Sequence, residues 1–374
     1  MKILIAAALA FMALSCAPVN EPFDEREWRA KVLKADPAML RAPHFRDGKY
    51  FNPWLPMKER AFGSYLMMRM FGKKEALYTD EEEHYLPRVL PDASMRLREM
   101  RGDFILWIGH ATFLIRLNGE YWLTDPVFSH RVLLPARKTP PAVTARDLAG
   151  LDGPLNVVIS HNHYDHLDME SIEAMPPGTR FYVPPGLGGL IRENGGKEVV
   201  EMDWWEEQVT PAGTRLTSLP AQHWSRRITQ GINSTLWASF MIASPAATLF
   251  YGGDSGYFIG YREIGRIFPE IDYALIPVTA FRPRWFMHYA HMDAREALDA
   301  FQDLGARYFI PTQWGTFHLG EEPPGYAVLD LWAEIASRQF DSAKFLVPDI
   351  GEFTEIRRST PPASSTEALR QIRQ

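Results

Sequence analysis

An α/β fold, with sheets covered by helices on their outer faces, is what this chain predicts. Hairpin-like strand patterns come first and alternating strand and helix patterns follow. Several apolar runs of strand length stop abruptly at small or polar residues. The 374 residues, 46% of them hydrophobic, supply a large core. That length allows two domains, and one large α/β domain equally.

The elements follow in order. Residues 104–108 and 112–117 read as strands, Asn118-Gly119 as a two-residue turn, and 120–124 as the next strand. The run Leu155-Asn156-Val157-Val158-Ile159 is a buried strand ending at Ser160. A helix at 169–174, a strand at 180–183 and a helix at 187–193 come next, then a strand at 215–219. Strands at 236–243 and 247–251, a helix at 257–268 and a strand at 273–278 repeat the theme. A helix at 294–304, a strand at 307–310 and a helix at 329–337 complete it.

The segments on either side differ in character. Lys2 precedes an apolar run, 3–14, too short to span a bilayer permanently. The only cysteine, Cys16, stands in Ala13-Leu14-Ser15-Cys16, which resembles a bacterial lipoprotein signal with lipid attached to the Cys16 sulfur. Ala13 stands where such signals usually have Leu, and an ordinary secretory signal is the other reading. Residues 1–15 are thus read as a signal peptide, and the protein as exported to the cell envelope. Its lipid anchor then lies on a membrane facing the periplasm or the exterior. Residues 17–100, broken by Pro18, Pro22, Pro37, Pro43, Pro53 and Pro56, form an extension that packs on the main domain, 101–357. Within it the Met- and aromatic-rich stretch 61–71 packs against that domain or touches acyl chains. The polar, Pro-bearing tail 358–374 is read as disordered. A net charge of −6 offers no basic excess for nucleic acid. Oligomeric state stays open, a homodimer included.

The chemistry concentrates after the strand that ends at Ser160. His161-Asn162-His163-Tyr164-Asp165-His166 sets three imidazoles and a carboxylate within six residues. Residues two apart in an extended segment point the same way, so His161 and His163 can grip one ion. Asp165 and His166 follow after the chain turns and can serve a second. Imidazole and carboxylate without thiolate suit zinc, with iron or manganese as rivals.

H-x-H-x-D-H is the signature of the metallo-β-lactamase superfamily, which the chain resembles well beyond that run. Gly109-His110-Ala111-Thr112, Leu123-Thr124-Asp125-Pro126, Gln222-His223-Trp224-Ser225, Gly252-Gly253-Asp254-Ser255 and Trp314-Gly315-Thr316-Phe317 look like its N-acylphosphatidylethanolamine-hydrolysing phospholipase D subfamily. The resemblance covers roughly residues 100 to 350, in order. It implies a four-layer αβ/βα sandwich with two metal ions at one edge. Site one would take His161, His163, His223 and Asp254. Site two would take Asp165, His166, the bridging Asp254 and one further ligand. Where the family has a histidine before Trp-Gly-Thr-Phe, this chain has Gln313. Three outcomes follow: Gln313 ligates, His318 ligates in its place, or the site keeps an extra water. Asp125 suits the role of a carboxylate that orients a metal-bound histidine. His110 is expected to make a structural hydrogen bond beside the site.

What the resemblance implies for chemistry is phosphodiester hydrolysis by a metal-bound hydroxide, with two zinc ions as cofactor. Asp165 would orient the hydroxide or shuttle its proton. His291, in Tyr289-Ala290-His291-Met292-Asp293, would contact phosphate or donate a proton. Arg282, Arg284, His318 and Trp224 are further candidates for holding the substrate. The substrate would be N-acylphosphatidylethanolamine or a related phospholipid. Lactone or ester hydrolysis on the same fold is an alternative, and so is a non-catalytic lipid-binding envelope protein with a degraded second metal site.

Overall fold

The computed structural model describes residues 22–57 and 76–356. One sheet is built from β1 (Phe104–Gly109), β2 (Thr112–Leu117), β3 (Glu120–Thr124), β4 (Leu155–Val158), β5 (Arg180–Val183) and β6 (Glu198–Glu201). The other comprises β7 (Glu207–Val209), β8 (Arg215–Leu219), β9 (Ser239–Ala243), β10 (Thr248–Tyr251), β11 (Tyr273–Pro277) and β12 (Tyr308–Thr312). β13 (Phe353–Glu355) returns to the first sheet, giving the orders β13-β1-β2-β3-β4-β5-β6 and β12-β11-β10-β9-β8-β7. Pairing is antiparallel from β13 to β3 and parallel from β3 to β6. In the second sheet it is antiparallel from β7 to β10 and parallel from β10 to β12.

The period of two along each strand sorts side chains into layers. On the first sheet Ile105, Trp107, Phe113 and Trp122 join one apolar cluster, while their neighbours Phe104, Leu106, Leu114 and Leu123 join another. The second of these contains Leu97 of α2 (Ala93–Glu99), Ile172 of α3 (Met169–Glu173) and Ile191 of α4 (Gly188–Glu193), helices that cover the outside. On the second sheet Phe250 meets Tyr261 of α5 (Gly260–Ile267), centroids 6.2 Å apart. Phe309 meets Phe301 of α7 (Ala294–Leu304), the helix after the short α6 (Arg284–Met287), at 5.5 Å. The next residue after Phe250 points the other way: Tyr251 donates its hydroxyl to Asp125 beyond β3, across the interface between the sheets. Helix, sheet, sheet, helix is therefore the layering, an α/β sandwich. Strands buried on both faces read as continuous apolar runs, which is why most were visible in the sequence.

Several boundaries differ from the sequence expectation. The strand expected from 236 begins only at Ser239, because Leu236 N–H donates to Pro185 and Ala238 N–H to Ser160 instead of to a ladder. The helix expected from 257 begins at Gly260, since Gly256 N–H is taken by Gln222. The last helix, α8 (Tyr326–Ser337), starts three residues before its expected onset at 329. The strands β6, β7 and β13 lie at or next to sheet edges and carry exposed, charged residues, so they lack the apolar signature.

Residues 22–57 run along the second sheet's side of the sandwich. Trp28 and Val32 of α1 (Glu25–Leu33), with Leu40, Trp54 and Leu55, are buried in the larger apolar cluster. Asp24 caps α1, accepting from the backbone N–H of Arg26 and Glu27. Asn52 Nδ2 donates to the His223 carbonyl (3.0 Å) and Trp54 Nε1 to Gln222 Oε1 (3.2 Å), so this segment props the chain beside a candidate ligand. Among the described residues no helix is long and apolar enough to cross a membrane. The signal peptide, Cys16, the 61–71 stretch and the tail 358–374 lie outside the described residues.

Candidate metal centre

The carboxyl ends of β1, β3 and β4 on one sheet and of β8, β10 and β12 on the other meet at one edge of the sandwich. They carry His110, Asp125, the 160–166 loop, His223, Asp254 and Gln313 respectively. Two clusters of ligand atoms form there among the described residues: His161, His163, His223 and Asp254, and His110, Asp165 and His166.

In the first cluster His163 Nδ1 lies 2.8 Å from His161 Nε2 and 3.1 Å from His223 Nε2. Asp254 Oδ2 lies 3.6 Å from His161 Nε2 and 3.4 Å from His223 Nε2. Its other oxygen, Oδ1, faces the second cluster, 3.3 Å from His166 Nε2. Asp165 Oδ2 stands 3.4 Å from His166 Nε2 and 3.2 Å from His110 Nε2. Ligands bound tetrahedrally at about 2.0–2.1 Å stand about 3.3–3.4 Å from one another, so these spacings match the edges of two coordination shells sharing Asp254.

The protons agree with that fit. His161 Nδ1–H donates to Ser160 Oγ (2.9 Å), whose own proton goes to Asp125 Oδ2. His166 Nδ1–H donates to Asp125 Oδ2 (2.6 Å), and His223 Nδ1–H to the Ala290 carbonyl (3.2 Å). His161 and His223 are thus left with the Nε2 lone pair facing inward, the arrangement by which proteins orient metal-binding histidines, and His166 Nε2 faces the same way with its proton held, against burial, by the Asp254 and Asp165 carboxylates, so that a cation there takes the place of a proton. Two such lone pairs aim at the single atom His163 Nδ1, and one proton there could satisfy only one of them. His166 Nε2 is buried with no hydrogen-bond partner in the protein. Burial holds His161 and His223 well below the ordinary imidazole value and His163 down to about 4, so all three are neutral and ready to ligate at physiological pH. Against burial, His166 and His223 keep the Asp254 carboxyl ionised, as His166 and His110 keep that of Asp165. The donor set fits divalent transition-metal ions.

Other residues singled out in the sequence are placed as follows. Asp125 is fully buried and accepts from His166, from Ser160 N–H (2.6 Å) and Oγ (2.5 Å), and from Tyr251 (2.5 Å). The half-buried Trp224 sets its ring 4.6 Å from that of His163. His291 packs its ring 5.4 Å from that of His223, and its buried Nδ1 has no hydrogen-bond partner in the protein. Neither residue expected to complete site two presents a ligand atom. Gln313 turns its amide NH2 to Gly253 O (3.0 Å) and Asp254 Oδ1 (2.7 Å), and His318 is exposed, outside both clusters.

The two arginines singled out for holding the substrate make the following contacts. Arg284 is bonded to Glu25 (2.8 Å) and Glu296 (2.9 Å), and the Arg282 guanidinium lies over Tyr78 and Tyr326, 5.9 Å from each ring centroid. The sequence reading missed Ser160 and Tyr251. Each ends or follows a strand immediately before a ligand motif, which was the signal available.

Outward from His291 and Trp224 a cavity of about 520 Å³ opens. Phe23, Trp28, Leu55 and Met57 of the N-terminal extension form one wall, and Ile232, Phe286 and Met287 lie on the other.

Comparison with known proteins places these features. Residues 121–314 match the family model of the β-lactamase superfamily domain. The chain is 36% identical over 328 residues to an uncharacterized protein of Mycobacterium tuberculosis, covering 81% of this chain and 83% of that one. It is 32% identical over 273 residues to the N-acyl-phosphatidylethanolamine-hydrolyzing phospholipase D 1 of Caenorhabditis elegans, covering 68% of this chain and 76% of the worm protein. Its fold is similar to that of a metallo hydrolase from the archaeon Ignicoccus hospitalis. That match has a TM-score of 0.53 at 20% identity and covers 69% of this chain and all of the other.

Proposed function

Because the chain belongs to the metallo-β-lactamase superfamily and is a metal-dependent hydrolase, we propose that it is a phosphodiesterase of the phospholipase D type, cleaving N-acylphosphatidylethanolamine or a related phospholipid. The observation that carries this reading is the apolar cavity of about 520 Å³ ending at His291 and Trp224, beside the ligand clusters. A hydrolase of small polar esters has no use for such a wall, whereas an acyl chain fills one. The volume lies within the range of about 300–1,000 Å³ of ligand sites. Similarity to the worm phospholipase supports the same substrate class.

Two divalent ions, zinc in this reading, would supply a water of lowered pKa and positive charge against the phosphoryl oxygens. The chain's own residues do the rest. Asp165, ionised between His110 and His166, accepts a hydrogen bond from the attacking water and fixes its direction. Trp224 and the cavity wall exclude bulk solvent, which strengthens every charge interaction at the edge. Burial holds His291 below the ordinary imidazole value, so the ring is neutral, and its unpartnered Nδ1 beside His223 is placed to hydrogen-bond a phosphoryl oxygen. A lipid anchor at Cys16 would keep the enzyme next to its bilayer substrate.

The test is product analysis. Incubated with vesicles containing N-acylphosphatidylethanolamine, the protein should release phosphatidate and N-acylethanolamine in equal amounts. Turnover of a lactone panel with no phospholipid product would overturn the reading. Ile232→Asp, which puts a charge on the cavity wall, should raise KM for the long-chain lipid roughly tenfold, or about 1.4 kcal/mol, while hydrolysis of bis(p-nitrophenyl) phosphate is unchanged.

A further inference from the structure

We infer that His110 is a ligand of the second metal ion, taking the place left by Gln313, and that Gln313 instead positions the bridging carboxylate of Asp254. Coordination by His110 is independent of which substrate the enzyme cleaves.

Four observations meet at His110. Its Nε2 lies 3.2 Å from Asp165 Oδ2, as His166 Nε2 lies 3.4 Å from the same oxygen, so that one carboxylate oxygen has an imidazole on either side at coordination-edge spacing. Its other nitrogen is spent: Nδ1–H donates to the Gln313 carbonyl at 3.1 Å. His161, His166 and His223 also donate Nδ1–H to a protein oxygen, and His110 shares their inward-facing Nε2. The side chain is fully buried, so the ring has no solvent to turn toward.

The backbone is built to deliver it. The β1–β2 register slips between Trp107 and Gly109, a bulge of the kind that re-aims a side chain at a site. Gly109 (φ +133°) and His110 (φ +53°) both adopt positive φ, a conformation disfavoured for histidine and retained where the surroundings impose it. Here Trp107 Nε1–H donates to the His110 carbonyl (2.9 Å), and His110 N–H donates to Thr316 Oγ1 (2.9 Å). A ring that served only as packing would need none of this.

Gln313 completes the picture from the opposite side. With its NH2 shared between Gly253 O and Asp254 Oδ1, it presents hydrogens rather than a lone pair to the centre. It therefore cannot be the fourth ligand in this orientation. It does hold the carboxylate that faces both clusters, and its carbonyl fixes the tautomer of His110. The residue that departs from the family pattern and the residue that replaces it are thus hydrogen-bonded to one another.

The wild-type chain can test this directly. Loaded with two equivalents of 113Cd and labelled with 15N at histidine, it should show cadmium–nitrogen coupling for five imidazoles: His161, His163, His166, His223 and His110. One coupled ring, and only one, should vanish in His110→Ala. In metal titrations of the apo protein, His110→Ala should lose at least tenfold in affinity at one site with the other unchanged. Gln313→Ala should bind two equivalents with a smaller loss. Far-UV circular dichroism of the apo variants separates ligand loss from misfolding, and the wild-type coupling pattern needs no variant at all. Four coupled imidazoles in the wild type would overturn the inference. So would two undiminished sites in folded His110→Ala, or loss of a site in Gln313→Ala while His110→Ala keeps both.

Discussion

At the scale of single residues, the candidate centre depends on a carboxylate that lies outside both ligand clusters. Asp125 accepts four hydrogen bonds from three residues, and one of them, from His166, sets which nitrogen faces the second cluster. Asp125→Ala should therefore lower metal affinity by about 10–100-fold, measured by competition with a chromophoric chelator, with the larger loss at the site containing His166. The candidate ligands stood out in the sequence because they follow strands in a dense motif. His161, His163, Asp165 and His166 are adjacent in sequence, and His223 and Asp254 each follow an apolar run. His110 was legible as a position but not as a role. Nothing local in Gly109-His110-Ala111 states that a bulge turns the ring toward Asp165, or that Gln313, some two hundred residues away, has yielded its place. Such facts are set by tertiary geometry, which a one-dimensional pattern does not encode.

At the scale of elements, strands buried on both faces were readable and edge strands were not. β4 (Leu155–Val158) is buried throughout, whereas β7 (Glu207–Val209) is exposed throughout and pairs only along one side. Loops after the strands carry charge that the elements alone do not predict. Glu322 is buried and accepts the backbone N–H groups of Phe281 and Arg282 (3.1 Å each), tying the loop after β12 to the loop after β11. Burial pushes its carboxyl up to about 7. A folded-state value above that of the unfolded chain gives stability that is full below the unfolded value and is lost as pH rises through the folded one. Between pH 5.5 and 8.5 this amounts to on the order of 2 kcal/mol. Glu322→Gln lacks the titration, so its stability relative to wild type should rise by about that amount across the interval. Thermal melts at the two pH values read it, and a constant difference between the proteins would refute it.

At the scale of the whole molecule, the extension and the sandwich behave as one folded unit. The largely buried Arg284 joins them, bonded to Glu25 of α1 and to Glu296, with Asp293 3.9 Å away at the start of α7. Arg284→Ala would strand two buried carboxylates and should cost about 3–5 kcal/mol, with α1 becoming the first site of proteolysis. Glu25→Gln, at the more exposed end of the pair, should cost about 1 kcal/mol or less. Urea unfolding and limited trypsin digestion measure both. The prolines marked this segment in the sequence as an extension in short pieces, but its partner surface was not legible there. The cavity's Phe23, Trp28, Leu55 and Met57 all precede residue 121, where the match to the family begins, while most candidate ligands fall within it. Part of the fit is consequently written in a stretch apart from the reactivity. A descendant that kept Asn52 and Trp54 beside His223 could exchange Phe23 and Trp28 and acquire a different diet with its chemistry untouched.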